Sequence, residues 1–331
     1  MKLKFTIFLT LFLAFDLIFA KAQTPDLKPL FEFSWDNDFL NVLGQGTDCY
    51  YSSGLKLAVL YKNKNRKSYL GDEGLLKFDS DSSVNYSWSI TQNVFTPEDI
   101  KRNVLYVGDW PYAASLFVTH GAQSVNAKKN MSLKSEVSIG VVGPFAFGNE
   151  AQSWFHGIIN YARPQGWEHQ IKNNLMLNYR IDLEPKLYAA DNVNIIGNIE
   201  SQFGTILNEA RAGATVRYGK LEDYFTHAVS KKSQLIFFSY GFNAGWVLYN
   251  GYLEGGLFDS TIAADEYTKE YKLASSEINN FYFENKFSLH YITKKFSFVY
   301  TQTYRTAETN RTYSHSFGNA SFFLNINKSF L

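Results

Sequence analysis

The stretch "LFEFSWDND", Leu30 to Asp38, sets the terms on which the rest of the chain is read. Its odd positions Phe31, Phe33 and Trp35 are aromatic, and Glu32, Ser34 and Asp36 between them are polar. A period of two is the signature of a β-strand with one apolar and one wet face. The same alternation recurs at Leu55, Leu57, Val59 and Tyr61, at Val84, Tyr86, Trp88 and Ile90, and at Leu133, Val137, Ile139 and Val141. It returns at Leu175 to Ile181 and at Phe281 to Tyr291, and two late segments, Phe296 to Tyr300 and Phe322 to Ile326, close the series. About twelve such segments can be counted, with no composition shift to mark a second domain.

A soluble sandwich also alternates, so the two faces must say which solvent the strands meet. In a soluble sheet the wet face is charged and the dry face mostly aliphatic. Here the inward-type positions are small or neutral (Asn85, Ser87, Ser89; Ser138, Gly140), and the outward ones carry Tyr, Trp and Phe, as membrane girdles do. The reading is all-β: a transmembrane antiparallel β-barrel of about 12 strands, closed because lipid leaves no partner for a free sheet edge. The chain ends on a strand-like run whose last residue is Leu331 instead of an aromatic.

Composition agrees and excludes other classes. Aromatic residues make up 17% and charged ones 19% of 331 residues, with a formal net charge of +1, so there is no basic footprint for nucleic acid. The single Cys49 rules out an intramolecular disulfide framework. Lys2 and Lys4, the apolar run Phe5 to Phe19 and the small residues Ala20 and Ala22 read as an export signal, residues 1–22, cleaved before Gln23. A retained anchor is the rival, but the run is short and interrupted by Asp16. Residues 23–331 are then the barrel, placed in the bacterial outer membrane.

The interruptions carry the candidate chemistry. After the first strand, Asn37 continues the parity of Phe33 and Trp35, an amide on the lipid-facing surface, while Asp38 has the opposite parity. "TDCYYSSG" opens the next strand, so hairpin pairing brings Tyr51 and Ser52 close to Asn37 and Asp38; Tyr50 and Tyr51 read as interface aromatics. "VSIGVVGPFAFG" ends at Gly143-Pro144, and Asn149 is a plausible N-cap for the amphipathic helix "NEAQSWFHGIIN". Gln152 and His156 stand four residues apart on one face of it, and Trp154, Phe155 and Ile158 offer apolar groups to lipid or wall. Such a helix on an extracellular loop plugs the lumen or lies against the outer wall, and only the second puts His156 beside Asn37.

Taken together, "DND" (Asp36 to Asp38), "YYSSG" (Tyr50 to Gly54), "QNVFTP" (Gln92 to Pro97), "IGVVGPFAFGNEAQSWFH" (Ile139 to His156), "GWEHQIKN" (Gly166 to Asn173) and "GATVRYG" (Gly213 to Gly219) resemble the outer-membrane lipid A 3'-O-deacylase family. The resemblance implies a twelve-stranded barrel with its active site between the outer wall and the loop helix. It implies His156 as general base, Gln152 as its helix-face neighbour, Ser52 as a strand hydroxyl, and Asn37 and Asp38 as wall residues near a divalent cation, usually Ca2+. The implied partner is lipid A, or lipopolysaccharide, in the outer leaflet, met by a monomer. One departure stands out: Ala162 lies where the family has a metal-side glutamate, so Glu168 or Glu150 substitutes, the cation is held by fewer protein ligands, or the metal is absent.

The chemistry is coherent. Ester hydrolysis wants a base that titrates near neutrality, as histidine does, and donors or positive charge at the developing oxyanion. His169, close to the candidate site, could assist but reads better as a solvated strand or loop histidine; His120, His227 and His290 show no clustered ligands, and the adjacent residues of "SHSFG" at Ser314 to Gly318 point to opposite strand faces. Two rivals remain at this stage: a silent lipopolysaccharide-binding or structural barrel of the same fold, and a porin-like channel.

Overall fold

The computed structural model describes residues 29–42, 49–62, 72–78, 82–103, 108–222, 234–257, 264–265 and 270–325. The expected leader, His227 and the chain end from Ile326 lie outside these residues. Twelve strands form a closed antiparallel barrel. They are β1 (Leu30–Asn37), β2 (Tyr50–Lys62), β3 (Ser83–Thr96), β4 (Ala113–Asn126), β5 (Met131–Val142), β6 (Asn174–Ala189), β7 (Val193–Gly204), β8 (Leu207–Gly219), β9 (Gln234–Asn250), β10 (Phe281–Thr293), β11 (Phe296–Arg305) and β12 (His315–Asn325). Closure comes from β1, which pairs with β2 on one side (Trp35↔Leu55) and β12 on the other (Trp35↔Ala320). No described helix is long and apolar enough to cross a membrane, so the strands do the crossing.

Alternation decides what each face meets. Along β9 and β10 the outward residues form cross-strand aromatic pairs, Trp246 with Phe281 at 6.0 Å, Phe242 with Phe283 at 5.8 Å and Tyr240 with Phe287 at 4.8 Å between ring centroids. All six are exposed, which fits a lipid-facing belt. The inward residues are more charged than the small, neutral set expected from the sequence. Glu284 meets Arg305 at 2.5 Å and Lys286 at 2.8 Å, Glu200 meets Arg180 at 2.7 Å, and Lys134 meets Glu136 at 2.9 Å. All of these except Glu200 line a cavity of about 580 Å³. Above it, at the end with the long connections, a buried cluster including Tyr50, Trp110, Tyr252, Leu253 and Tyr271 closes the mouth. A lumen crossed by ion pairs and capped by aromatics speaks against the porin-like reading.

The helix α1 (Gly148–Ile159) lies outside the barrel, on the wall of β1 to β4, at that same extracellular end. Its start differs from the expected one. The N-cap is Phe147, held in the left-handed region at φ 60° without a side-chain cap, and Asn149 sits in the first turn, accepting from Ser153 Oγ at 3.1 Å. The reason is packing. Gly148 is pressed so closely on Ala114 and Trp167 that a Cβ would come within 2.5 Å of both, so the helix must begin where glycine touches the wall.

A second segment also covers the outer wall, on the periplasmic half. Residues 72–78 of the β2–β3 connection run across β3 to β6: Ser135 Oγ donates to Leu76 O (2.9 Å), Phe78 N to Ser124 Oγ (3.0 Å), and Tyr179 OH to Gly74 O (3.0 Å). Beneath it His120, expected to have no ligand nearby, pairs through Nε2 with Asp72 Oδ1 at 2.8 Å and stacks on Trp88 at 4.2 Å.

Candidate active site on the outer wall

The site is built from the end of β1, the start of β2 and α1. β1 delivers Phe33, Trp35 and Asn37 to the outer face by simple alternation. Delivery of Ser52 needs an irregularity. The β2–β3 register shifts between Tyr51 and Ser53, and this bulge lets Tyr51 turn inward while Ser52 joins Ser53 on the outer wall. Tyr51 OH then donates to Asp36 Oδ2 in the lumen (3.2 Å), and Tyr50 is 2% exposed in the cap over the mouth, so neither is the interface aromatic expected from sequence.

Across from this wall, α1 presents Gln152 and His156, 7% and 1% exposed, while Trp154 and Ile158, which also line the groove, are 70% and 61% exposed. Phe155 packs edge-on against Trp35 at 5.5 Å and fixes the helix to the strand. Between helix and wall lies a groove of about 400 Å³, lined by Asn37, Ser52, Gln152 and His156 together with Phe33, Trp35, Leu55, Val94 and Phe155. Four of the polar residues singled out in the sequence therefore share one mostly apolar cleft on the lipid side of the barrel.

Each polar group in the cleft has a defined setting. His156 Nδ1 lies 2.6 Å from Ala162 O. A carbonyl only accepts, so Nδ1 carries the proton and the neutral ring has its lone pair on Nε2. The ring also sits in the last turn of α1, where the helix dipole favours a positive charge. Ser52 Oγ shares a hydrogen bond with Thr96 Oγ1 at 2.5 Å. Asn37 is a bracket: its Nδ2 donates to Ser52 O (3.1 Å) and its Oδ1 accepts from Phe39 N (2.8 Å), capping the 3-10 turn Asp38–Leu40 in which Asp38 is buried. Gln152 Oε1 accepts from Trp167 Nε1 at 2.9 Å, and its buried Nε2 has no hydrogen-bond partner among the described residues. An unmade buried N–H costs about 1–3 kcal/mol, which is the kind of cost a site carries for its ligand.

Calcium takes six to eight oxygens, whereas no group of three His, Cys, Asp or Glu among the described residues could hold a metal. Asp38 is one carboxylate. Glu150 is exposed on the first turn of α1, and Glu168 accepts from Asn103 Nδ2 at 2.8 Å and stands beside His169; neither lines the groove. Ala162 contributes its backbone carbonyl to His156.

Several partners were not assigned roles from sequence, although they sit in the quoted motifs: Trp167 behind Gln152, Thr96 behind Ser52, and Gln92, whose Nε2 donates to Ala146 O at 2.6 Å and ties the loop to β3. Lys101 is another. Its Nζ stands 5.9 Å from the Tyr161 ring, which packs edge-on against His156 at 5.2 Å.

The model of the family described as outer membrane protein LpxR matches residues 7–326, nearly the whole chain. The chain belongs to the LpxR outer membrane protein family. Among solved structures, LpxR from Salmonella typhimurium superposes with a TM-score of 0.70 at 20% identity, covering 90% of this chain and 100% of that one, a likeness of fold. The β domain of the Bordetella autotransporter BrkA reaches a TM-score of 0.42 at 6% identity, over 91% of this chain and 99% of that one, too low to guide a reading of the site. No curated protein matches the chain significantly. The LpxR-family match and the closed barrel make this an outer-membrane protein.

Proposed function

We propose that this LpxR-family barrel is a carboxylic ester hydrolase that removes the 3'-linked acyl (acyloxyacyl) chain of lipid A in the outer leaflet, working as a monomer. The observation that carries this reading is the setting of His156: Nδ1 is committed to a backbone carbonyl, and the ring lines a groove on the lipid side of the wall. Nε2 takes a proton from water as the water attacks the ester carbonyl. The imidazolium that results is stabilised by the Ala162 carbonyl and the end of α1. Gln152 Nε2 and the Ser52 hydroxyl supply donors for the oxyanion, and collapse of the tetrahedral intermediate returns the proton to the leaving alkoxide.

The surroundings support a lipid substrate. An apolar groove beside the membrane admits an acyl chain without lifting the lipid out of the leaflet, and the exposed Trp154 and Ile158 keep the helix seated in that leaflet. The exposed cations Lys101 and Arg163, on connections next to the groove, suit an anionic headgroup. The expected divalent cation stays a proposal of its own, not required by these steps, with Asp38, buried in the turn that Asn37 caps, as its carboxylate.

Mass spectrometry of lipid A from cells expressing wild type or His156→Ala tests the reading. Loss of an ester-linked acyl mass with wild type alone is expected. Intact lipid A with both, each folded in the membrane, would leave the silent binding or structural barrel as the better reading.

A further inference from the structure

Gln152 raises a question that the proposed chemistry leaves open: what decides which end of its amide faces the groove? Oxygen and nitrogen ends are nearly the same size, and only the nitrogen end can donate to an oxyanion. The groove itself does not choose, because Nε2 has no hydrogen-bond partner among the described residues. The choice is made behind the helix. Trp167 Nε1 is 2.9 Å from Gln152 Oε1, and an indole N–H only donates, so it holds the oxygen end and leaves Nε2 as the uncommitted end of a side chain that lines the groove.

The indole is itself well fixed. Trp167 is 4% exposed, opens the 3-10 turn Trp167–His169, packs on Tyr112 at 4.8 Å and presses its ring edge against the start of α1 at Gly148. The turn is entered through Gly166 at φ 93°, a backbone state that L side chains rarely adopt. Two sequence motifs therefore converge: one supplies the glycine at the start of α1 and the glutamine one turn on, the other the tryptophan after the helix.

We infer that Trp167 is a positioning residue for the hydrolysis, orienting the Gln152 amide so that Nε2 is the oxyanion donor. The inference rests on the hydrolase reading above. It assigns Trp167 a role in the rate of the chemical step and none in substrate affinity.

The test uses the full-length purified protein in mixed micelles with lipid A, following acyl release. Trp167→Phe keeps an aromatic ring and removes the donor, and Gln152→Ala removes the amide. The expected result is a fall in kcat on the order of a hundredfold for Gln152→Ala and about tenfold for Trp167→Phe, with KM little changed. In the Gln152→Ala background, Trp167→Phe should then cost almost nothing further. If the two losses multiply instead, Trp167 acts through packing alone and the inference fails. A second readout does not need turnover: the indole N–H resonance of Trp167 should shift when Gln152→Glu offers it a charged acceptor and shift the other way with Gln152→Leu. An unmoved resonance overturns the inference whatever the activity. A wild-type protein that releases no acyl chain overturns the hydrolase reading and this role together, whereas loss with His156→Ala but none with Gln152→Ala sinks the positioning role alone.

Discussion

Two patches on the outer wall of this barrel are polar, each covered by a segment that leaves the barrel and folds back on it, and each centred on a histidine. On the periplasmic half, His120 Nδ1 meets Ser87 O at 3.0 Å and Nε2 meets Asp72 Oδ1 at 2.8 Å, with Trp88 stacked on the ring. On the extracellular half, His156 Nδ1 meets Ala162 O at 2.6 Å, and the ring lines a groove of about 400 Å³ in which the Gln152 amide keeps an unmade N–H. In the first patch a carboxylate closes the arrangement; in the second, space and an open donor remain. Burial and a histidine are common to both. What separates a structural polar patch from a candidate site is whether the polar inventory is completed by the protein itself.

That contrast can be broken by exchange of loss for loss. The largest effect is expected on activity with His156→Ala, a fall in acyl release of roughly a hundredfold to ten-thousandfold, while His120→Ala should leave acyl release near wild type. Equal losses from the two would erase the distinction. Next in size, Asp72→Ala strands His120 under the periplasmic segment and should lower stability by about 3–5 kcal/mol in a urea unfolding series, as breaking a buried pair does. A change within error would mean that the segment does not seal that wall. Replacing Gly148 by Val drives side-chain atoms into Ala114 and Trp167, so α1 must shift; acyl release should drop by about tenfold or more with the barrel still resistant to unfolding, since misplacement of a positioned group by about 1 Å is enough. The smallest effect concerns the cation. With no group of three His, Cys, Asp or Glu among the described residues able to hold a metal, added chelator should change wild-type acyl release by less than about twofold, and a steep loss would mean that amide, carbonyl or solvent oxygens assemble a cation site with substrate.

Much of the architecture was legible because a lipid-exposed strand leaves little choice. Phe33 and Trp35 had to face out, and Asn37 followed them by parity, which is where it lies. The helix was legible too, since Gln152 and His156 can share a face only at helical spacing. Strict alternation would have sent Ser52 into the lumen; the bulge at Tyr51 and Ser53 reverses it, and no pattern of residue types announces that bulge. The N-cap was misjudged for a similar reason. Asn149 has the right chemistry, but contact of Gly148 with the wall moved the helix start to Phe147.

The partners behind the site were the least legible. Thr96 and Trp167 stand 44 and 15 residues from the side chains they hold, so only the closed barrel and the returning loop bring them together. The Asp72–His120 pair spans 48 residues in the same way. By itself, the sequence determined the solvent of each strand face, the closure of the sheet, and the histidine and glutamine on one helical face, because these follow from periodicities of two and 3.6 acting on neighbours in the chain. The tertiary structure alone decided that the helix lies outside the wall, that Ser52 turns out to meet it, and which polar groups were satisfied and which left open. Those outcomes depend on atoms that meet across the fold, and no local period encodes them.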